Sequence, residues 1–269
     1  MSVYSNMWYD SVDLSGSTYS VEVLDAEIPP VPQPRIDVQP VPYGGGISQG
    51  EYFEPATIRV AVAVTGTSRE NVNTKLRALA ALFHTQSDKT LYFDFYNDYQ
   101  WKGRRQSSQT RWQGTDMVEM DWQFLLPDPI GESRLTITET YSPTNNAYTF
   151  YVPSTGGTVI GGNYTARPKI TIKATGACAA NIVLTNVSTT EAITYTVALA
   201  NTHWLEIDSS LYSVRKSTDG GATFASAVGS ITNTSVFPTL DDGVRNEFLL
   251  TNCDNSTVEV VYRTRIIGG

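Results

Sequence analysis

A mainly β fold is predicted by three observations: charged residues make up only 17% of the chain, Thr, Ser, Asn, Tyr and Val abound, and short apolar–polar alternations recur between turn residues. One helical pattern interrupts them. The expectation is a β-sandwich or barrel-like N-terminal domain with one α-helix, followed by a β-sandwich. A length of 269 residues with 41% hydrophobic content is enough for two cores. Pro127-Asp128-Pro129-Ile130-Gly131 marks the boundary, because prolines cannot continue a ladder. The domains so defined are residues 1–133 and 134–269.

The first fifty residues carry one alternating strand pattern, Tyr19 to Leu24. A run with Pro29, Pro30, Pro32, Pro34, Pro40 and Pro42 follows, ending in Gly44-Gly45-Gly46. Missing backbone donors keep it extended, either as an arm toward another molecule or as a segment along its own surface. Ile58 to Val64 alternates as a strand with one buried face. Thr67 and Glu70 then form a capping-box pair, and Val72, Leu76, Leu79, Leu82 and Phe83 share one helical stripe ending at His84. Leu91 to Tyr96 reads as an aromatic strand leading to a turn at Asn97-Asp98. Trp101 to Thr110 is expected to form a polar hairpin tip, and Val118 to Leu126 returns as a strand with Met120, Trp122 and Phe124 on one face. Beyond the boundary, strands are expected at 134–141, 148–152, 168–173, 180–185, 193–199, 204–207, 212–216, 247–250 and 258–263. Asp219-Gly220-Gly221 is a hairpin turn, and no helix is expected there.

Nineteen basic residues against 27 acidic ones give a net charge of −8, which argues against nucleic-acid binding through the overall field. Residues 1–150 hold 11 basic and 18 acidic residues, so nearly all the excess lies there. That acidity serves solubility, or a surface past which DNA slides without sticking. No run approaches the roughly 20 apolar residues of a membrane span, and Met1 to Asp10 lacks the pattern of a secretory signal. For a chain made in a cytosol, Cys178 and Cys253 are expected as two buried thiols rather than a pair. His84 and His203 are the only histidines, and the chain has no HExxH, paired CxxC or GxxxxGK[ST] motif. Neither catalysis, a cofactor nor a metal is therefore expected. Asp241-Asp242-Gly243 reads as a turn rather than half of a hydrolytic carboxylate pair.

The contact residues expected are of two kinds. Lys102, Arg104, Arg105, Arg111 and Trp112 of the polar tip, with Arg35, Tyr43 and Tyr52 of the arm region, are assigned to contacts between subunits; phosphate binding and plain solvation are the alternatives for the tip. Trp204 and Tyr212 are assigned to a glycan or partner contact, with packing as the alternative reading.

The order of these features resembles the distal tail protein family of siphophages, over nearly the whole chain. The matching residues in the first half are Pro34-Arg35 to Gly44-Gly45-Gly46, Phe53-Glu54-Pro55, Gly66-Thr67-Ser68, Leu91-Tyr92-Phe93-Asp94 and Phe124 to Pro129. In the second half they are Gly162-Asn163-Tyr164 to Pro168-Lys169-Ile170, Asn186, Leu205-Glu206-Ile207-Asp208, Asp242 to Asn246 and Val258 to Arg265. The resemblance implies a tail-tube-like first domain and a galectin-like second one. It also implies a ring, commonly hexameric, at the distal end of the virion tail, joining the tail tube protein to the tail hub or a tail-associated protein and letting DNA pass. The tape measure protein and receptor-binding proteins are further implied partners, and the second domain would hold the latter or touch host sugars. No sequence-specific nucleic acid and no membrane is implied.

Overall fold

In a computed structural model, residues 6–28, 34–40, 46–84, 87–96 and 98–267 are described, those of 34–40 and 46–52 by their backbone alone. The chain is mainly β, with one α-helix, and divides into two compact units. Met1–Arg134 with Ile266–Gly269 form the first, and Leu135–Arg265 the second.

The first unit contains β1 (Met7–Tyr9), β2 (Val12–Asp13), β3 (Val21–Glu27), β4 (Pro34–Pro40), β5 (Gly46–Phe53), β6 (Ala56–Thr65), α1 (Arg69–Phe83), β7 (Lys89–Phe93), β8 (Tyr99–Gln113), β9 (Met117–Leu126) and β10 (Ile130–Ser133). Eight of these strands and β21 (Arg265–Ile267) pair into one nine-stranded sheet whose main path runs β2-β1-β7-β8-β9-β6-β3, while β4 and β5 pair only with each other. Pro34–Pro40, the described part of the proline-rich run, is thus a strand paired antiparallel with β5. Strand β8 is the hinge of the sheet. Its start pairs with β7 through Trp101, Lys102 and Gly103, and its remainder, from Arg104, pairs with β9. Register shifts between Arg105 and Ser107 and between Thr110 and Trp112 add local twist to it. A Cβ on Gly103 would lie 2.7 Å from the Leu125 carbonyl oxygen and from Leu126 Cδ2, so only glycine fits at the crossing.

This replaces the expected tip at 101–110 with one uninterrupted strand. The chain turns only at residues 114–116, and Trp101 is buried in the core. The long polar run misled because β8 is exposed from Gln106 onward and so lacks period-two alternation. Likewise β7 stops at Phe93, where a 3-10 turn, Asp94–Tyr96, takes over from the expected strand. Strands β1 and β2 were not expected, being too short to show a period.

Helix α1 covers the core with Val72, Leu79 and Phe83 buried and Leu76 and Leu82 partly so. The Phe83 ring meets those of Tyr9 and Trp122 edge-on, both at 5.0 Å. Ser68, not Thr67, caps the helix: its hydroxyl accepts from Asn71 N–H at 3.2 Å, while Asn71 Oδ1 accepts from Thr67 N–H. Lys75 ties the helix down by donating to Ser20 Oγ at 2.6 Å and the Thr65 carbonyl at 2.8 Å.

The second unit holds β11 (Ile137–Tyr141), β12 (Ala147–Val152), β13 (Lys169–Ala174), β14 (Ile182–Asn186), β15 (Glu191–Tyr195), β16 (Trp204–Asp208), β17 (Ser213–Ser217), β18 (Ala225–Ser226), β19 (Asn246–Thr251) and β20 (Ser256–Tyr262). A six-stranded sheet, β11-β20-β13-β16-β17-β18, and a four-stranded one, β12-β19-β14-β15, share one apolar core. At its edge, Asn186 and Asn246 are fully buried and satisfied through Thr239 O, Asp241 N and Asp241 O. Burial raises the Tyr262 hydroxyl to about 12. Strand β21 (Arg265–Ile267) then pairs with β10.

Cys178 and Cys253 are joined in a disulfide, not held as thiols. The topology brings them together: Cys178 bridges Leu199, and Cys253 lies in the turn between β19 and β20.

Candidate assembly surface

The sheet of the first unit turns one face to its core and presents the other outward. Ile58, Val60, Val62 and Val64 of β6 lie in the core with Trp122, Phe124 and Leu126 of β9. The alternate residues form cross-strand rungs on the opposite face: Glu27–Arg59–Gln123–Ser107, Asp25–Ala61–Asp121–Gln109, and Glu22–Ala63–Glu119–Trp112. Arg111 reaches this face and binds Asp121 at 2.6 Å. Three carboxylates, Asp25, Glu27 and Asp121, thus stand with two guanidiniums, Arg59 and Arg111, around an open depression of about 520 Å³, and Glu22 and Glu119 belong to the next rung of the same face. The Arg59–Glu27 pair at 4.0 Å is well exposed and contributes at most about 1 kcal/mol.

Two long stretches of strand edge in the sheet are open. Among the described residues no strand pairs with the outer side of β3, and none pairs with the β7 side of β8 beyond Gly103. The β3 edge bears Glu22, Asp25 and Glu27. The β8 edge bears Arg104, Arg105 and Arg111. Unpaired edges of this length are templates for another strand, and opposite charge favours a mutual match.

The sequence-predicted contact residues fall partly on this surface. Arg104 lies 3.8 Å from Asp88 and Lys102 sits opposite Thr90. Arg105 is half-buried over the Phe83 ring at 4.8 Å, and burial lowers its guanidinium pKa. Trp112 is 49% exposed. Arg35 and Tyr52 are backbone partners across β4 and β5, while Tyr43 lies outside the described residues. The carboxylates of the outer face were missed. Their signal was present in the alternation of β6 and β9, but reading it requires knowing that β3, β6, β9 and β8 are neighbours.

In the second unit, Trp204 is the first residue of β16 and Tyr212 lies in the turn beyond its other end, so the two do not form one platform. Trp204 lies against Gly221, where any Cβ would collide with its ring, and beneath the Lys173 ammonium at 4.6 Å. His84 follows α1, and His203 Nδ1 accepts from Ala200 N–H. Among the described residues no three His, Cys, Asp or Glu side chains group as a metal site.

The first unit is a helix-bearing, edge-open sheet and the second a two-sheet sandwich. The chain aligns over 97% of its length with 98% of the SPP1 Dit protein (gp 19.1), a hub of the adsorption apparatus in phages infecting Gram-positive bacteria, at a TM-score of 0.73 and 15% identity. The two therefore share a fold. Chains of the phage P2 baseplate, activated with Ca or Sr, align at a TM-score of 0.49 with 8% and 9% identity, too low to argue from. No family model and no curated sequence matches.

Proposed function

We propose that this protein is a non-enzymatic structural subunit at the distal end of a siphophage tail, where copies close into a ring, commonly a hexamer, between tail tube and baseplate hub. The observation that carries this reading is the pair of oppositely charged open edges on one sheet. The β3 edge of one copy continues the sheet of the next at β8, so each contact is heterologous and closes only as a ring. The acidic outer face then faces the channel, where carboxylates repel passing DNA. The shared fold with SPP1 Dit agrees. In this reading the tail tube protein, a hub or tail-associated protein and the tape measure protein meet the first unit. The second unit, read as galectin-like, anchors receptor-binding proteins.

Mass photometry of the purified chain tests the ring. We expect a species at six times the chain mass, weakened by added salt. The double variant Asp25→Lys/Glu27→Lys, which places like charges against Arg104 and Arg111, should run as a folded monomer. A wild-type chain that stays monomeric at every concentration, or is absent from purified tail tips, overturns the reading.

A further inference from the structure

A cavity of about 420 Å³ opens on the second unit beside the bridge between Ala166 and Leu240. The two backbones exchange hydrogen bonds, Ala166 N–H to the Leu240 carbonyl at 2.8 Å and Leu240 N–H to the Ala166 carbonyl at 2.9 Å, and both side chains are fully buried. Side chains alternate along such a pair, so the flanking residues turn outward, with Thr165 across from Asp241 and Arg167 across from Thr239. All four line the cavity, together with Glu191 and Arg265.

The charges in it are held apart from one another. Glu191 Oε2 accepts from Thr189 Oγ1 at 2.7 Å, Thr239 N–H at 2.7 Å and Thr239 Oγ1 at 2.8 Å, which fixes the carboxylate through one oxygen. Among the described residues its Oε1 accepts no hydrogen bond, and neither does the Asp241 carboxylate. Arg167 pairs with neither acid; its guanidinium rests 5.3 Å from the ring centroid of Tyr212. Arg265 is 5% exposed, lies 5.2 Å from the Tyr164 ring centroid and donates through Nη1 to the Thr165 carbonyl at 3.4 Å. Opposite charges in contact would satisfy each other. Sharing a cavity without pairing, Arg167 and the two acids keep that capacity for a guest.

We propose that this cavity binds a free amino acid as its zwitterion, the carboxylate on Arg167 and the ammonium on Asp241 and Glu191 Oε1. A lone anion meets two carboxylates there and a lone cation meets two guanidiniums, while a neutral molecule displaces water from four charges and compensates none. A guest with both signs gives each group its opposite. The guanidinium fork matches a carboxylate bidentately, and an ammonium brings three donors to acceptors that only accept. The volume lies within the ordinary range of small-molecule sites. No contact of the proposed ring is used, so either idea can fail alone.

Saturation-transfer NMR on the full chain tests it, with glycine, L-alanine and D-alanine as probes and acetate, methylammonium and acetamide as controls that carry one charge or none. At least one amino acid should receive saturation in a titratable manner, and the controls should not. Asp241→Asn and Arg167→Gln should each weaken that binding about tenfold without lowering the thermal midpoint. Transfer to none of the amino acids, binding of acetate, methylammonium or acetamide as tight as theirs, or unchanged affinity in either folded variant overturns the proposal.

Discussion

Asp219 shows how much one side chain can organise. Its carboxylate accepts from Ser217 Oγ, Thr223 N–H and Thr223 Oγ1, closing the turn between β17 and β18. Those bonds, the Ser217 hydroxyl first, hold its pKa well below the ordinary value of 3.8. Because the folded value is the lower one, the stabilisation is present above about pH 4 and is lost as pH falls through the folded value. Asp219→Ala should therefore lower the melting midpoint at neutral pH, with the gap to wild type narrowing in acid, as differential scanning calorimetry across pH would read. The turn was legible from Asp219-Gly220-Gly221 because its bonds are local. The seat of Trp204 against Gly221 was not, since it depends on the register that pairs Trp204 with Ser217.

At the scale of elements, α1 was read correctly in extent but one residue early in its cap. Both Thr67 and Ser68 are competent N-caps by residue type, and only the backbone decides between them. Ser68→Ala should cost about 1 kcal/mol in chemical denaturation, and Thr67→Ala a few tenths at most. Among strands, those with one buried face were found to within a few residues. Strand β8 was misread because its exposed end leaves the alternation rule without a signal, and the candidate surface lies on that end. What adjoins what, rather than what each segment is, was the missing information. Phe83 illustrates the point: it meets Tyr9 of β1 and Trp122 and Phe124 of β9, strands far apart in the chain, so its role emerges only from the assembled sheet.

For the whole molecule, two separate cores imply two melting events. The disulfide links residues 75 apart, both within the second unit. The chain-entropy argument gives such a loop about 4 kcal/mol. Reduction by dithiothreitol should shift one transition downward and leave the other in place, and the untreated, unfolded chain should show no free thiol by Ellman titration. Opposite results, with both transitions moving or two thiols titrating, contradict the pairing. Since the chain leaves the first unit at Arg134 and rejoins it at Ile266, where β21 lies beside β10, the sandwich is topologically a passenger: both of its ends are fastened at neighbouring positions on one host. Such an insert can be exchanged for a different module, or shortened to a brief loop, with the main path of the host sheet left intact, so one unit is free to vary while the other stays fixed.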